Sequence, residues 1–172
     1  MTNPKEFARH FIGVGGVVIH ENNVLLVQLT YGRAQKKWLI PGGFLEPGET
    51  LREGVIREIY EETTMYVKVE GILGVRSMVR VRDNLTDLYC VLKCNLTSNP
   101  ESITPQTEEI SIVTWMPLGE LQHNSDVLDY TKNIVKRALR DKLMQLEDPL
   151  PDHIKNRFDL KKYEQFWVNK ID

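Results

Sequence analysis

The sequence predicts a mixed α/β domain on two observations. Short apolar runs bounded by turn residues alternate with amphipathic segments of helical period, and no internal repeat interrupts the pattern. Phe11 to Ile19 (FIGVGGVVI) and Asn23 to Leu29 (NVLLVQL) are apolar runs separated by His20-Glu21-Asn22, which reads as a β-hairpin. Gly13, Gly15 and Gly16 weaken the first strand in isolation, and would let another backbone or a ligand approach it closely. Residues 30–37 are polar and read as loop. Trp38-Leu39-Ile40 then meets Pro41-Gly42-Gly43, a strong break, and Pro47-Gly48 marks a further turn.

A helix starts at Thr50. Glu53 follows three residues later, which makes a capping box, and Leu51, Val55 and Ile59 give the helix an apolar stripe for a sheet. Tyr66 to Val81 is rich in Val, Ile and Leu, with Gly71 and Gly74 as expected bends. Leu88 to Leu96 (LYCVLKCNL) is its expected antiparallel partner, joined through Arg82-Asp83-Asn84. Ser98-Asn99-Pro100 ends that strand and opens a polar loop. Ile110 to Met116 reads as a further strand ending at Pro117, and Leu118 to Leu121 as one helical turn. A longer helix is expected from about Asp126 to Leu146, with Leu128, Val135, Leu139, Leu143 and Leu146 on one stripe. The tail carries Phe158, Tyr163, Phe166 and Trp167, too many aromatics for a disordered segment. The expected division is a domain over residues 1–146 and an extension over 147–172, packed on the domain or at a subunit contact.

Composition narrows the function. At 172 residues, with 41% hydrophobic and 27% charged residues, the chain can bury one real core, and disordered or membrane classes are poor starting points. A net charge of −2 offers no global basic field for nucleic acid. A small nucleotide escapes that objection, because a few local cations or a metal can hold it. Cys90 and Cys94 lie four apart in a predicted strand, so their Cα atoms would be about 13 Å apart, too far for a disulfide. Two buried thiols are expected; a zinc site would need partners that the scattered His10, His20, His123 and His153 do not supply. The Phe11–Ile19 run is too short to span a bilayer, and no small-residue cleavage pattern follows it, so a cytoplasmic protein is expected.

The informative stretch is Gly43 to Met65, GFLEPGETLREGVIREIYEETTM. At about 100° per residue, with Leu51 at 0°, Glu58 lies near about −20°, Glu62 near about +20° and Glu61 near about −80°. Three carboxylates therefore border the buried stripe instead of opposing it, and Gly54 leaves room in the same arc for a loop or ligand. Like charges four apart cost a helix roughly 0.2–0.5 kcal/mol per pair even when hydrated. Arg57 can offset one charge; the remaining acids call for cations, and hard oxygen ligands favour magnesium or manganese. A solvated acidic face is the plainer alternative. The residues alone leave both open.

This stretch resembles the Nudix box: Gly, five residues, Glu, seven residues, then Arg-Glu-apolar-X-Glu-Glu-X-Gly-apolar. The matching positions are Gly43, Glu49, Arg57, Glu58, Ile59, Glu61, Glu62 and Met65, with Thr64 in place of the family glycine. A glycine there would end the helix in the left-handed conformation, which a β-branched residue resists, so a different helix exit or mild strain is expected. The Trp-Leu-Ile-Pro-Gly-Gly approach is also typical of the family, and a looser likeness runs to Trp115-Met116-Pro117-Leu118.

The resemblance implies an α/β/α sandwich around a mixed sheet and a pyrophosphohydrolase acting on a nucleoside diphosphate linked to another group. It implies a magnesium site, with manganese as the substitute, on Glu58, Glu61 and Glu62 with the Gly42 carbonyl. Arg57 would orient a neighbouring carboxylate, and Glu49 would support the loop. Glu58 looks like the general base of some members; others use a later loop, where Glu108 and Glu109 are the candidates and Glu109 is preferred. Ordinary loop charges remain the alternative for that pair. Phe11, Tyr31, Trp38 and Tyr89 are candidates to stack a base and equally candidates for the core, with core the better reading for Trp38; Arg33, Lys36, Lys37, Arg76 and Arg80 are candidates for phosphate or plain surface residues. The family also contains regulatory modules that bind nucleotide without hydrolysis, but these often lose box acids, which this chain keeps. Removal of an RNA cap would use the same chemistry, against which the near-neutral charge counts. Family members are often dimers, which makes a homodimer through the aromatic tail an expectation by analogy.

Overall fold

The structure is a computed structural model that describes residues 10–32, 34–80, 85–105, 108–140, 143–146, 164 and 166–168. The first apolar runs form β1 (His10–His20) and β2 (Asn23–Leu29), an antiparallel hairpin closed by Ile19↔Val24 and His20↔Asn23. The two strands then part. Along its glycine-rich half β1 pairs antiparallel with β4 (Gly42–Phe44), and its other edge runs parallel to β6 (Leu85–Leu96). β2 pairs with β3 (Trp38–Leu39) and with β7 (Ile110–Pro117). β5 (Val67–Arg80) lies antiparallel to β6, and its register shifts at Val69/Gly71 and Ile72/Gly74, where the sequence placed bends.

Helices cover both faces. On one, α1 (Leu51–Thr63) sets Val55 and Ile59 against Val14, Val18 and Leu92. Gly16 makes this approach feasible, since a Cβ there would stand 2.4 Å from the Ile59 side chain. On the other face, α2 (Leu118–Leu121) and α3 (Asp129–Ala138) set Leu121, Ile134 and Val135 against Val17, Val91 and Met116. This is the predicted α/β/α sandwich around a mixed sheet. Cys90 and Cys94 are free and buried, as expected, and burial pushes the Cys94 thiol up to about 12.

The long helix expected from Asp126 to Leu146 is not formed. α3 begins after Leu128 and stops at Ala138; Leu139 is exposed, and Met144–Leu146 forms β8 instead. The cause lies far away in sequence. The outer edge of β5 carries backbone groups that need partners, and β8 supplies them through Gly71↔Gln145 and Ile72↔Met144. β9 (Phe166–Val168) then pairs with β8, and Phe166 packs against the α1-side core. Glu164, nearby in the tail, accepts from the Arg52 backbone N–H at 3.2 Å and the Arg52 Nε at 2.9 Å, which adds an acidic cap to the start of α1. Phe158, Tyr163 and the expected turn at 82–84 lie outside the described residues.

Both ends of α1 follow from local chemistry. The capping box is present: the Glu53 N–H donates to Thr50 Oγ1 at 3.3 Å, and the Thr50 N–H donates to Glu53 Oε2 at 2.9 Å. At the other end Thr64 adopts φ +64° and donates its N–H to the Tyr60 carbonyl, so it takes the left-handed conformation a glycine would take. That costs a non-glycine residue roughly 1–2 kcal/mol. The Thr64 hydroxyl offsets part of it by donating to the Ser102 carbonyl at 2.6 Å. Thr64→Val keeps the branched shape and removes that bond. It is expected to lower stability by about 1 kcal/mol in urea unfolding, whereas an unchanged midpoint would show that the hydroxyl does not anchor the cap.

Candidate functional site

The site forms where the β1–β4 pairing brings a glycine-rich backbone under the second half of α1. A Cβ on Gly42 would stand 2.2 Å from the Val14 carbonyl, and one on Gly43 would stand 2.6–2.7 Å from the Glu58 carboxyl atoms. The two glycines therefore let the chain pass directly beneath an acidic side chain. Glu62 turns to the same strand and accepts the Gly42 N–H at 2.8 Å. Gly54 is used as the sequence suggested, by a loop: the Leu45 side chain fills the place its Cβ would take.

Arg57 is the hub of the acids. Its Nε and Nη2 donate to the two Glu49 oxygens at 2.7 and 3.0 Å, a bidentate pair. Nη1 donates to Glu58 Oε1 and Glu61 Oε2, each at 3.0 Å, and Nη2 also reaches the Phe44 carbonyl at 2.9 Å. Glu49 in turn accepts the Glu46 N–H at 2.9 Å and so ties the loop to the hub. The Arg57 fork holds the Glu49 carboxyl below its ordinary range, and Glu49 in return raises the Arg57 pKa. Burial raises Glu58 against the opposing pull of Arg57. Glu62 is 7% exposed, and its carboxyl is pushed up to about 8, by burial first and by its acidic neighbours after that.

Arg57, Glu58, Glu61 and Glu62 face one cavity of about 1000 Å³, together with Glu109 from the loop before β7, while Glu49 lies outside its lining. Glu109 Oε2 accepts the Tyr31 hydroxyl at 3.0 Å, which raises the Tyr31 pKa. Glu108 contributes its carbonyl to Thr30 Oγ1 and does not line the cavity, so the two candidates the sequence offered are separated by position. Tyr31, Tyr89 and Arg76 also line it. The remaining candidates lie elsewhere: Phe11 packs on Phe44 at 5.1 Å, Trp38 packs on the α3-side core, and Lys37 pairs with Asp126 at 2.9 Å. Lys36 is exposed and does not line the cavity. Arg33 and the Arg80 side chain lie outside the described residues. Sequence reasoning missed Asp87 and Tyr130, which also face the cavity. Its one available signal was the parity of β6, which puts the Asp87 charge on the same side as Tyr89.

The donor set suits a hard divalent cation. Glu58, Glu61, Glu62 and Glu109 bring four carboxylates to one cavity, and the buried Glu62 is an acid whose charge a cation would stabilise. Among the described residues no three His, Cys, Asp or Glu side chains already converge as a ligand set. Glu58 and Glu61 face Arg57, and Glu62 faces the Gly42 N–H.

A family model for the NUDIX domain matches residues 9–138. Nudix hydrolase 2 of Arabidopsis thaliana is 34% identical over 126 residues, which cover 72% of this chain and 45% of that relative. The chain thus spans less than half of that relative's length. Among solved structures, a NUDIX hydrolase from Nitrosomonas europaea superposes with a TM-score of 0.67 at 21% identity, over 80% of this chain and 93% of the other. The NUDIX domain of Shewanella oneidensis NrtR, complexed with ADP ribose, gives 0.66 at 22% identity over 80% and 92%. These two likenesses bear on the fold. Among the described residues no helix is long and apolar enough to cross a membrane.

Proposed function

Because the chain belongs to the Nudix family, we propose that it is a metal-dependent pyrophosphohydrolase that cleaves a phosphoanhydride bond in a nucleoside diphosphate linked to a second group. The observation that carries this is the full set of box acids held around Arg57, with Glu58, Glu61 and Glu62 facing the same cavity as Glu109. The residues that would hold magnesium, or manganese in its place, are Glu58, Glu61 and Glu62 with the Gly42 carbonyl. Bound there, the ion would supply charge neutralisation of the diphosphate and a more acidic water.

The chain's own groups account for the rest. Arg57 holds Glu58 and Glu61 in place through one nitrogen, and Glu49 and the Phe44 carbonyl hold Arg57. Glu58 or Glu109 accepts the proton of the attacking water, and Tyr31 fixes the Glu109 carboxylate for that role. Water adds its oxygen to one phosphorus, the bridging P–O bond breaks, and a nucleoside monophosphate leaves with a phosphorylated second fragment. Residues 1–146 would form the catalytic domain, and 147–172 an extension that docks on it through Glu164 and β9.

The test is monophosphate release from a panel of nucleoside triphosphates, oxidised nucleotides, ADP-ribose, NADH, nucleotide sugars and diadenosine polyphosphates, in magnesium and in EDTA. Magnesium-dependent turnover of at least one diphosphate-linked compound is expected. Tight nucleotide binding without turnover on any of them would overturn the reading in favour of a binding module.

A further inference from the structure

A second polar group lines the same cavity, contributed by β5, β6 and α3 instead of α1. Arg76 and Tyr89 are direct cross-strand partners, and Asp87 follows on the same side of β6. Arg76 Nη2 donates to Asp87 Oδ1 at 3.2 Å. The guanidinium lies between two rings, 4.9 Å from the Tyr89 centroid and 5.2 Å from that of Tyr130. The Arg76 side chain is 35% exposed and that of Asp87 only 9%, so the pair presents donors to the cavity more than acceptors.

The backbone is built to hold this arrangement. A Cβ on Gly13, Gly15 or Gly42 would run into Tyr89, at 2.7, 2.2 and 2.7 Å. These three glycines form a bed for the tyrosine, which places it between the Gly42 N–H that holds Glu62 and the Arg76 guanidinium. Arg57 and Arg76 are the cations among the described residues of the cavity wall. The Arg57 donors are engaged by Glu49, Glu58, Glu61 and Phe44. Arg76 donates a hydrogen bond to Asp87; its Nε is buried and has no partner among the described residues, so it is the terminal nitrogens of the part-exposed guanidinium that are open to a ligand. Arg76 and Tyr130 also border a separate, smaller hollow of about 340 Å³.

We propose that Arg76 is a substrate-binding residue that takes an anionic oxygen group, a phosphate or a carboxylate, carried outside the diphosphate, and that Asp87, Tyr89 and Tyr130 are positioning residues for it. The word substrate rests on the hydrolase reading above; the binding does not. A substrate of this kind is held at two ends, the diphosphate at the helix acids and the distal anion at Arg76.

Two matched pairs of compounds test this: UDP-glucuronate against UDP-glucose for a carboxylate, and NADPH against NADH for a phosphate. Hydrolysis in magnesium is followed beside calorimetric binding of the same compounds. The wild-type chain is expected to favour the charged member of at least one pair by about 10- to 100-fold, in KM and in Kd with kcat little changed. Arg76→Gln abolishes the preference, and Arg76→Lys keeps part of it. The double variant Arg76→Gln/Asp87→Asn loses it as well, without leaving a buried carboxylate unpartnered. Equal treatment of both members of both pairs by the wild type overturns the assignment, as does a preference that survives in both glutamine variants. If no compound is hydrolysed while calorimetry still shows the preference and its loss, the hydrolase reading falls and the Arg76 assignment stands.

Discussion

Glu62→Gln is expected to lower kcat/KM by about 10³-fold or more while leaving the fold intact, because it removes the most deeply buried of the acids assigned to the metal. Glutamine keeps an oxygen for the Gly42 N–H, so the β4–α1 contact survives the exchange. A stability measurement separates lost chemistry from lost structure. The Glu62 carboxyl is pushed from its ordinary value of 4.5 up to about 8. Between those values the folded chain keeps a proton that the unfolded chain has released, so metal-free stability falls as pH rises through the window and levels off above it. Glu62→Gln removes that slope. In EDTA the variant should melt above the wild type at pH 8 and level with it near pH 4. Magnesium should raise the wild-type melting temperature at pH 8 and raise that of the variant less. Near-normal turnover by Glu62→Gln would remove Glu62 from the proposed ligand set. A low melting temperature at every pH would mean that the carboxyl is structural.

What could be read from the sequence was what depends on neighbours within one helix or one turn. Thr50 and Glu53 cap α1, Val55 and Ile59 point inward, and the acids border that stripe, because a period of 3.6 residues sets all three. The left-handed Thr64 was likewise foreseen as one of two outcomes. Readings that depend on distant strands went less far. The need for close approach at Gly13, Gly15 and Gly16 was visible, but its cause was not. Tyr89 lies on the first two and Ile59 on the third, and neither is near in sequence. The leucine stripe from Leu128 to Leu146 has a helical period, yet the open edge of β5 takes Met144 and Gln145 into the sheet. Glu108 and Glu109 look alike as letters; only the fold sets Tyr31 against Glu109. Asp87 and Tyr130 carried no motif at all, and they meet Arg76 only because β5, β6 and α3 converge.

Arg57→Ala should be the most damaging single exchange on the helix for stability and activity together. The side chain is 21% exposed, and its partners Glu49 and Glu58 are 15% and 12% exposed, so its loss leaves two partly buried carboxylates without their cation. Removing one partner of a buried ion pair costs about 3–5 kcal/mol, and the partial exposure here places the expected loss at about 2–4 kcal/mol at pH 7. Activity should fall by about 10²-fold or more, since Glu58 and Glu61 lose the nitrogen that sets their spacing. Arg57→Lys should recover part of the stability but little of the activity, because an ammonium cannot span Glu49 bidentately and still reach Glu58, Glu61 and the Phe44 carbonyl. The pH dependence carries the opposite sign to that of Glu62. Arg57 lowers the Glu49 carboxyl below its ordinary range, so this stabilisation is present above that range and is lost as pH falls through the lowered value. Urea midpoints of the wild type and Arg57→Ala should therefore lie far apart at pH 7 and converge as the pH falls below the ordinary carboxylate range. Equal midpoints at pH 7 would mean that the hub adds nothing to the fold, and that Arg57 acts on the acids of the site alone.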